Sequence, residues 1–409
     1  MIEVDSSSFL LVMLSAAAAA VTVAVLPRSI APPVVVVELL LGIVIGPQVL
    51  GLAETDDFIQ FFSNLGLGLL FFFAGYEIEF DRIRGRPLKL GVAGWILSLA
   101  LAYGLGGILA AAGVVVSLVF TGSAMATTAI GTLIPILRDS GELKSRFGTY
   151  LLAAGAIGEF GPILLITLVL STKQPIHEAF ILIAFIVIAL LLALLSVRLS
   201  GRGWRHLERT LETSSQLAVR IAVLLIFALV ALATELGLDL LLGGFVAGMI
   251  VRAAMRGHEA EKFESKLTAV GFGFLIPFFF VTSGMNFDLD ALLGSAGAVA
   301  KLGMFVGLFL VVRGAPALLL YRDALPAARE RLALAFFSAT QLPLVVAITT
   351  IAVDGGHMRS STSAGLVGAA ILSTLIFPFV GLALRRSQPR DGEGDVPTNV
   401  PAMGRGVDV

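Results

Sequence analysis

The sequence predicts an all-α, polytopic membrane protein. Three observations carry that expectation: composition, the recurrence of long apolar runs, and the placement of basic residues between them. Of the 409 residues, 57% are hydrophobic and only 14% charged, with a mean hydropathy of +0.97. That is far too apolar for a soluble domain. Apolar runs of bilayer-spanning length occur about thirteen times. They cover 8–26, 32–51, 58–78, 88–111, 113–137, 148–171, 176–197, 215–235, 238–252, 267–285, 291–321, 329–353 and 361–384.

Basic residues then set the direction of threading. Arg28, the Arg82–Lys89 cluster, Arg138 to Arg146, Arg198 to Arg209, Arg252 to Lys266, Arg322 with Arg329, and Arg385 with Arg386 follow the odd-numbered spans. The intervening loops hold only Lys173 and Arg359. The positive-inside bias therefore places the N-terminus outside and the C-terminus in the cytoplasm. A net charge of −1 gives no sign of a nucleic-acid partner, and the absence of cysteine excludes disulfides and thiolate chemistry. The acidic opening "MIEVDSSSFLL" lacks a signal-peptide n-region, so the first span is expected to be retained. The last stretch, 387–409, is rich in Gly, Pro and charge and is expected to be a short disordered cytoplasmic tail behind a transmembrane domain at 1–386.

Two halves of the chain echo each other. "ELLLGIVIG" (38–46) resembles "DLLLGGFVAG" (239–248), and "LGLLFFFAG" (67–75) resembles "FLIPFFFVTSG" (274–284). Spans two and nine run in opposite directions, so the echo predicts an inverted repeat. Chance recurrence of Leu/Gly/Phe strings is the competing explanation.

Spans five and twelve each carry a polar cluster in mid-membrane. Thr121, Ser123, Thr127 and Thr128 stand in one; Ser338, Thr340 and Gln341 stand in the other. Each span also has a proline, Pro135 or Pro343. Proline removes a hydrogen bond to the carbonyl four residues earlier, so Pro343 frees the oxygen of Ala339. Unwound backbone is tolerated at membrane depth where it lines a cavity, so both spans are expected to be discontinuous. Helix packing through small polar residues would use the same side chains.

In span six, "LLAAGAIGEFGPILLITLVL" puts a single carboxylate, Glu159, inside an apolar run. It lies roughly 16 Å above Gly148, near the midplane. An ionisable group there is a functional candidate by default. Pro162 frees the carbonyl of Gly158, and Gly155, Gly158 and Gly161 clear space for a neighbour or an ion. Span eleven supplies the candidate charge partner. Arg313 sits roughly 13 Å deep, whereas Lys301 is roughly 31 Å from Arg322 and able to snorkel to the outer surface. Depth selects Arg313, with a purely structural Glu159–Arg313 ion pair as the alternative. Lys301 and Glu38 are secondary candidates. Glu77, Glu79 and Asp81 are expected at a solvated cytoplasmic edge. The four histidines, His177, His206, His258 and His357, fall in loops or at span ends, which argues against an intramembrane hydrolase.

The ordered strings "APPVVVVELLLGIVIGPQVLGL", "LLFFFAGYEIEF", "GELKSRFGTYLLAAGAIGEFGPI", "LLGGFVAGMIV" and "LIPFFFVTSGMNFDLDAL" resemble the monovalent cation:proton antiporters, in the branch of Kef-type and related sodium/proton or potassium/proton exchangers. The resemblance covers nearly all of 8–385. It implies a Na+/H+ antiporter fold of thirteen helices in inverted repeats, with two crossed discontinuous helices, here spans five and twelve. It also implies a homodimer built on a scaffold (mainly spans 1–3 and 8–10) and a moving core (mainly spans 4–6 and 11–13). The family's essential acid on the sixth span is an aspartate preceded by Asp, Asn or Gln. Here the pair reads Gly158–Glu159. Arg313 matches a basic residue that many relatives carry on this helix.

The expected activity is exchange of a monovalent cation, Na+ or K+, for H+ across the cell membrane by alternating access. One ion/proton site is expected, built from Glu159, Thr127, Thr128, Gly158, Ser338, Thr340 and Gln341, with Arg313 neutralising the empty carboxylate. One carboxylate facing a permanently charged arginine predicts electroneutral, one-for-one exchange. No cofactor and no enzymatic activity are expected. An ion channel or a transport-inactive sensor of the same fold, or a neutral-solute symporter, remain the alternatives.

Overall fold

Asp5, a short acid in front of an unbroken apolar run, starts the first helix. Its side chain accepts from the Ser7 N–H at 3.0 Å and from the Ser8 hydroxyl at 2.6 Å, an N-cap that satisfies a first-turn donor. The Ser7 and Ser8 hydrogen bonds hold its carboxyl down at about 2. The structure, a computed structural model, describes residues 5–27, 32–77, 83–169, 216–235, 240–254 and 258–386, together with 184, 187, 188 and 191. Most of span seven, the tail at 387–409, Glu79, Asp81, Arg28, Arg82, Lys173, Arg198 to Arg209, Arg256, His177 and His206 lie outside the described residues.

The described helices are α1 (Ser6–Val25), α2 (Val34–Ile45), α3 (Asp57–Tyr76), α4 (Arg86–Ala111), α5 (Leu118–Met125), α6 (Ile130–Asp139), α7 (Arg146–Val169), α8 (Leu217–Glu235) and α9 (Leu240–Ala254). They continue as α10 (His258–Val270), α11 (Ile276–Met285), α12 (Leu289–Leu293), α13 (Ala296–Phe309), α14 (Ala315–Leu320), α15 (Ala328–Ser338), α16 (Pro343–Asp354) and α17 (Ser360–Arg386). π-helical turns at Gly271–Leu275 and Leu310–Gly314 join α10 to α11 and α13 to α14. Seven of the described helical stretches are long and apolar enough to cross a membrane, and four shorter apolar ones accompany them. The chain is a multi-pass, all-α membrane protein. Several boundaries differ from the apolar runs: the helix through 267–285 already starts at His258, and the helix of the 113–137 run starts only at Leu118. The second helix stops at Ile45, where Gly46-Pro47 ends it, and the run at 291–321 divides because Ser295 caps a new helix at Ala296.

These helices pack as two groups. In one, α1 lies on α2, α2 on α11, α3 on α9 and α11, and α8 on α9. The close crossings are made by glycine: a Cβ on Gly42 would stand 3.0 Å from the Gly284 Cα, and one on Gly248 would stand 2.6 Å from the Tyr76 N. Backbone meets backbone there, as small residues allow in membrane helices. In the second group, α4 lies on α5 and α7, and α17 lies on α13 and α15. Among the described residues, contacts between the groups are thin, made by α7 on α9, α6 on α3 and α17 on α2.

One end of the second group is tied by Arg385, in the last turn of α17. Its Nε and Nη2 donate to the two carboxyl oxygens of Glu142 at 3.1 and 3.0 Å, and its Nη1 to Glu330 at 2.5 Å. The guanidinium also lies over the Phe147 ring, 4.6 Å from its centroid. Removing the cation leaves two largely buried carboxylates facing one another. Arg385→Ala is expected to lower stability by about 2 kcal/mol, measured as a fall in Tm of the detergent-purified protein; an unchanged Tm contradicts this.

Candidate functional site

Both mid-membrane polar clusters sit where a helix stops and restarts. Residues 126–129 separate α5 from α6, and residues 339–342 separate α15 from α16. Pro343 is the first residue of α16, where a missing N–H costs nothing. Pro135 is not at its break: it falls inside α6, beyond the unwound residues. The first break is therefore set by hydrogen bonding of its polar residues, not by proline.

The two unwound segments meet, and their orphaned backbone groups are satisfied there. The Ala129 N–H donates to Thr340 O at 2.8 Å. The Thr128 N–H donates to Gly158 O at 3.1 Å, the same carbonyl that Pro162 releases from its own helix. Gln341 Nε2 donates to Met125 O at 2.9 Å, while Thr127 Oγ1 lies 3.0 Å from Ala124 O and 3.1 Å from Gln341 Oε1. Thr128 Oγ1 donates to Ser338 O at 2.6 Å, and Thr340 Oγ1 to Phe336 O at 3.2 Å. From α17, the Ser373 hydroxyl accepts from the Gln341 N–H at 3.0 Å, and Thr374 Oγ1 donates to Gln341 O at 3.0 Å.

Glu159 stands on α7 against this crossing and is only 3% exposed. Its carboxylate faces the backbone of Ile130 and Gly131. These are the first residues of α6, whose N-terminal dipole end favours an anion. The second oxygen, Oε2, is buried without a hydrogen-bond partner. A buried acceptor left open in this way calls for an explanation.

Arg313 lies in the π-helical turn Leu310–Gly314, fully inside the protein at 4% exposure. The expected direct ion pair with Glu159 is not formed. The guanidinium instead donates from Nε to Thr128 Oγ1 at 2.9 Å and Ser338 O at 3.4 Å, from Nη1 to Ser98 Oγ at 3.1 Å, and from Nη2 to Ala154 O at 3.1 Å. The physical reason is a second helix terminus. Ser338 ends α15, and its outward carbonyl carries the negative end of that half-helix dipole. Each charge is thus answered by a broken helix: the acid by the start of α6, the arginine by the end of α15. Gly158 makes the arginine's position available, because a Cβ there would collide with Arg313 Nη2 and stand 2.8 Å from Thr128 Oγ1.

A family model described as "Sodium/hydrogen exchanger, transmembrane" matches residues 9–382. The chain belongs to this family. Among curated relatives, YjbQ of Bacillus subtilis (strain 168) is 26% identical over 383 residues, covering 88% of this chain and 60% of its own length. The Na(+)/H(+)-K(+) antiporter GerN of Bacillus cereus is 26% identical over 273 residues, covering 64% of this chain and 67% of GerN. Among solved structures, the sodium proton antiporter MjNhaP1 of Methanocaldococcus jannaschii superposes with a TM-score of 0.65 at 17% identity, covering 93% of this chain and 96% of that one. That likeness shows the Na+/H+ antiporter fold.

In this family member the structure brings together Glu159, Gly158, Thr127, Thr128, Ser338, Thr340, Gln341 and Arg313. Two other candidates lie elsewhere. Glu38 is buried in α2, within the first helix group. Lys301 sits in the second turn of α13, where its ammonium donates to Ser361 at 3.2 Å and Thr362 at 3.4 Å. Glu77, expected at a solvated edge, is half-buried at the end of α3. With Ile83, Ile130 and Ala156 it lines a cavity of about 10 Å3, space for about one water. Residues the sequence reading passed over are Ser98, Ser373, Thr374 and the N–H groups of Ile130 and Gly131. The side chains among them share one signal, hydroxyls inside an apolar span, single at Ser98 and paired at Ser373 and Thr374.

Proposed function

We propose that this chain exchanges a monovalent cation, Na+ or K+, for H+ by alternating access, with Glu159 as the site both ligands use. The observation that carries this reading is the buried, unpartnered Oε2 of Glu159 beside the crossing of two unwound helices. A proton on that oxygen or a cation against it completes the acid's coordination, and either one excludes the other. Thr127, Thr340 and Gln341 side chains would supply further oxygens, since a hydroxyl that donates a hydrogen bond keeps lone pairs to offer, whereas Thr128 Oγ1 and the Ser338 carbonyl are engaged by Arg313. Arg313 keeps its charge throughout, so a single titrating carboxylate supports one-for-one, electroneutral exchange. The names of GerN and MjNhaP1 support the same ligands.

The thin seam between the helix groups supports rigid movement of the second group, as core, against the first, as scaffold. An inverted repeat is supported by packing: α2 meets α11 while α3 meets α9, and the echoed sequences pair α2 with α9 and α3 with α11. Exchanging the halves turns one contact into the other. The Glu77 cavity, lined from both groups, is the cytoplasmic approach in this reading. The N-terminus is then outside, and the scaffold carries the homodimer contact.

The test is a pH-resolved panel of Na+, K+ and Li+ on the protein reconstituted in proteoliposomes. Cation-dependent proton movement is expected, and lowering the pH is expected to raise the apparent KM for the cation while leaving the maximal rate at saturating cation. Cation flux without proton counterflow would indicate a channel and sink the exchange mechanism.

A further inference from the structure

Away from the crossing, a cavity of about 460 Å3 opens between the end of α4, the start of α13 and the loop before α17. Its polar lining is basic: Lys301 from α13 and Arg359 from the loop, with no Asp or Glu among the lining residues. Like charges in one cavity repel, and among the described lining residues no carboxylate answers them. Lys301 donates to Ser361 and Thr362, both neutral hydroxyls. Arg359 donates one bond, from Nη1 to Gly113 O at 3.2 Å. The guanidinium has five donors and the ammonium three, so four N–H groups of Arg359 and one of Lys301 are without a protein acceptor among the described residues. The remaining wall is apolar, with Val114 on one side and Ala300 and Met304 on the other. Exposed Ile108 and Val299 continue that apolar surface along α4 and α13.

We infer that this cavity binds the phosphate of an anionic membrane lipid, with Lys301 and Arg359 holding the headgroup and the acyl chains lying along the apolar faces of α4 and α13. A guanidinium matches phosphate oxygens in a fork, an ammonium supplies a second point charge, and both prefer a ligand with several acceptor oxygens. The mixed lining selects an amphiphile over a small free anion. Because the cavity lies on helices of the second group, the lipid rides on the body that carries Glu159. Binding is independent of transport, so the site stands or falls apart from the exchange reading.

The experiment uses the full-length protein purified in neutral detergent, with lipid binding read by native mass spectrometry and by thermal shift. Phosphatidylglycerol, phosphatidylcholine with the same chains, and inorganic phosphate are titrated in parallel. Phosphatidylglycerol is expected to bind and stabilise the wild type, phosphatidylcholine to bind far less, and inorganic phosphate not to compete. Each cation contributes about fivefold in affinity and the Lys301→Gln/Arg359→Gln double variant about 30-fold. Lys301→Arg is expected to retain binding. Should the double variant not fold, Arg359→Gln alone, on an exposed loop, still shows about a fivefold loss. The inference is overturned if the neutralised variants bind phosphatidylglycerol as the wild type does. It is overturned equally if phosphatidylcholine binds as tightly, or if inorganic phosphate displaces the lipid and stabilises alone.

Discussion

Glu159→Gln is expected to reduce cation-dependent proton movement in proteoliposomes to the level of protein-free vesicles, with the protein still folded. The amide matches the acid in shape, and its carbonyl oxygen can still face the start of α6 at Ile130 and Gly131. What it lacks is charge and a site for a proton at Oε2, since a carboxamide does neither acid–base step. Stability should therefore change by no more than about 1 kcal/mol, visible as a nearly unchanged Tm, while transport disappears. Glu159→Asp separates charge from reach: it keeps the carboxylate but withdraws it by one methylene, and reduced but measurable exchange is expected. Retained cation-dependent flux in Glu159→Gln would place the exchanging group elsewhere.

The second large effect comes from a single methyl group. In Gly158→Ala the new Cβ would stand 2.8 Å from Thr128 Oγ1 and 3.0 Å from Thr128 Cβ, with Arg313 Nη2 in the same space. Thr128 is pinned by its bonds to Gly158 O and Ser338 O, so the guanidinium must give way. It then loses Ala154 O and strains its bond to Ser98. Hydrogen bonds to charged groups contribute about 1.5–3 kcal/mol each, so a loss of about 2–4 kcal/mol in stability and a matching fall in transport are expected. Gly107→Ala on α4 is the control, because a Cβ there meets nothing within 4 Å, and a helix-interior alanine stabilises by up to about 1 kcal/mol. Equal Tm values for the two variants would show that Gly158 does not make room for the arginine.

The sequence made the spans legible because a bilayer forces each crossing into a long apolar run. Pro162 was equally readable: the carbonyl it releases, Gly158 O, is the one that receives the Thr128 N–H. The partner of Arg313 was not. Counting along a helix gives the height of a residue but not the direction it faces, so Glu159 and Arg313 could be placed at similar depth without being placed in contact. The actual partners are mostly backbone carbonyls and hydroxyls, which no composition argument singles out. Pro135 misled in a similar way. It marked the correct span but not the unwound residues, whose polar side chains and freed N–H groups are satisfied by α7 and by the opposite break. Ser98 and Ser373 escaped notice because small hydroxyl residues in membrane helices usually serve packing.

Among the described residues, every group that holds Arg313, from Ser98 and Ala154 to Thr128 and Ser338, belongs to the set of helices that also carries Glu159. The set is electrically self-contained, so a shift of this body against its neighbour would leave both charges in their own nests. The barrier to each stroke would then lie in the greasy seam of α3, α7 and α9, where bilayer thickness and temperature act strongly and ionic strength hardly at all.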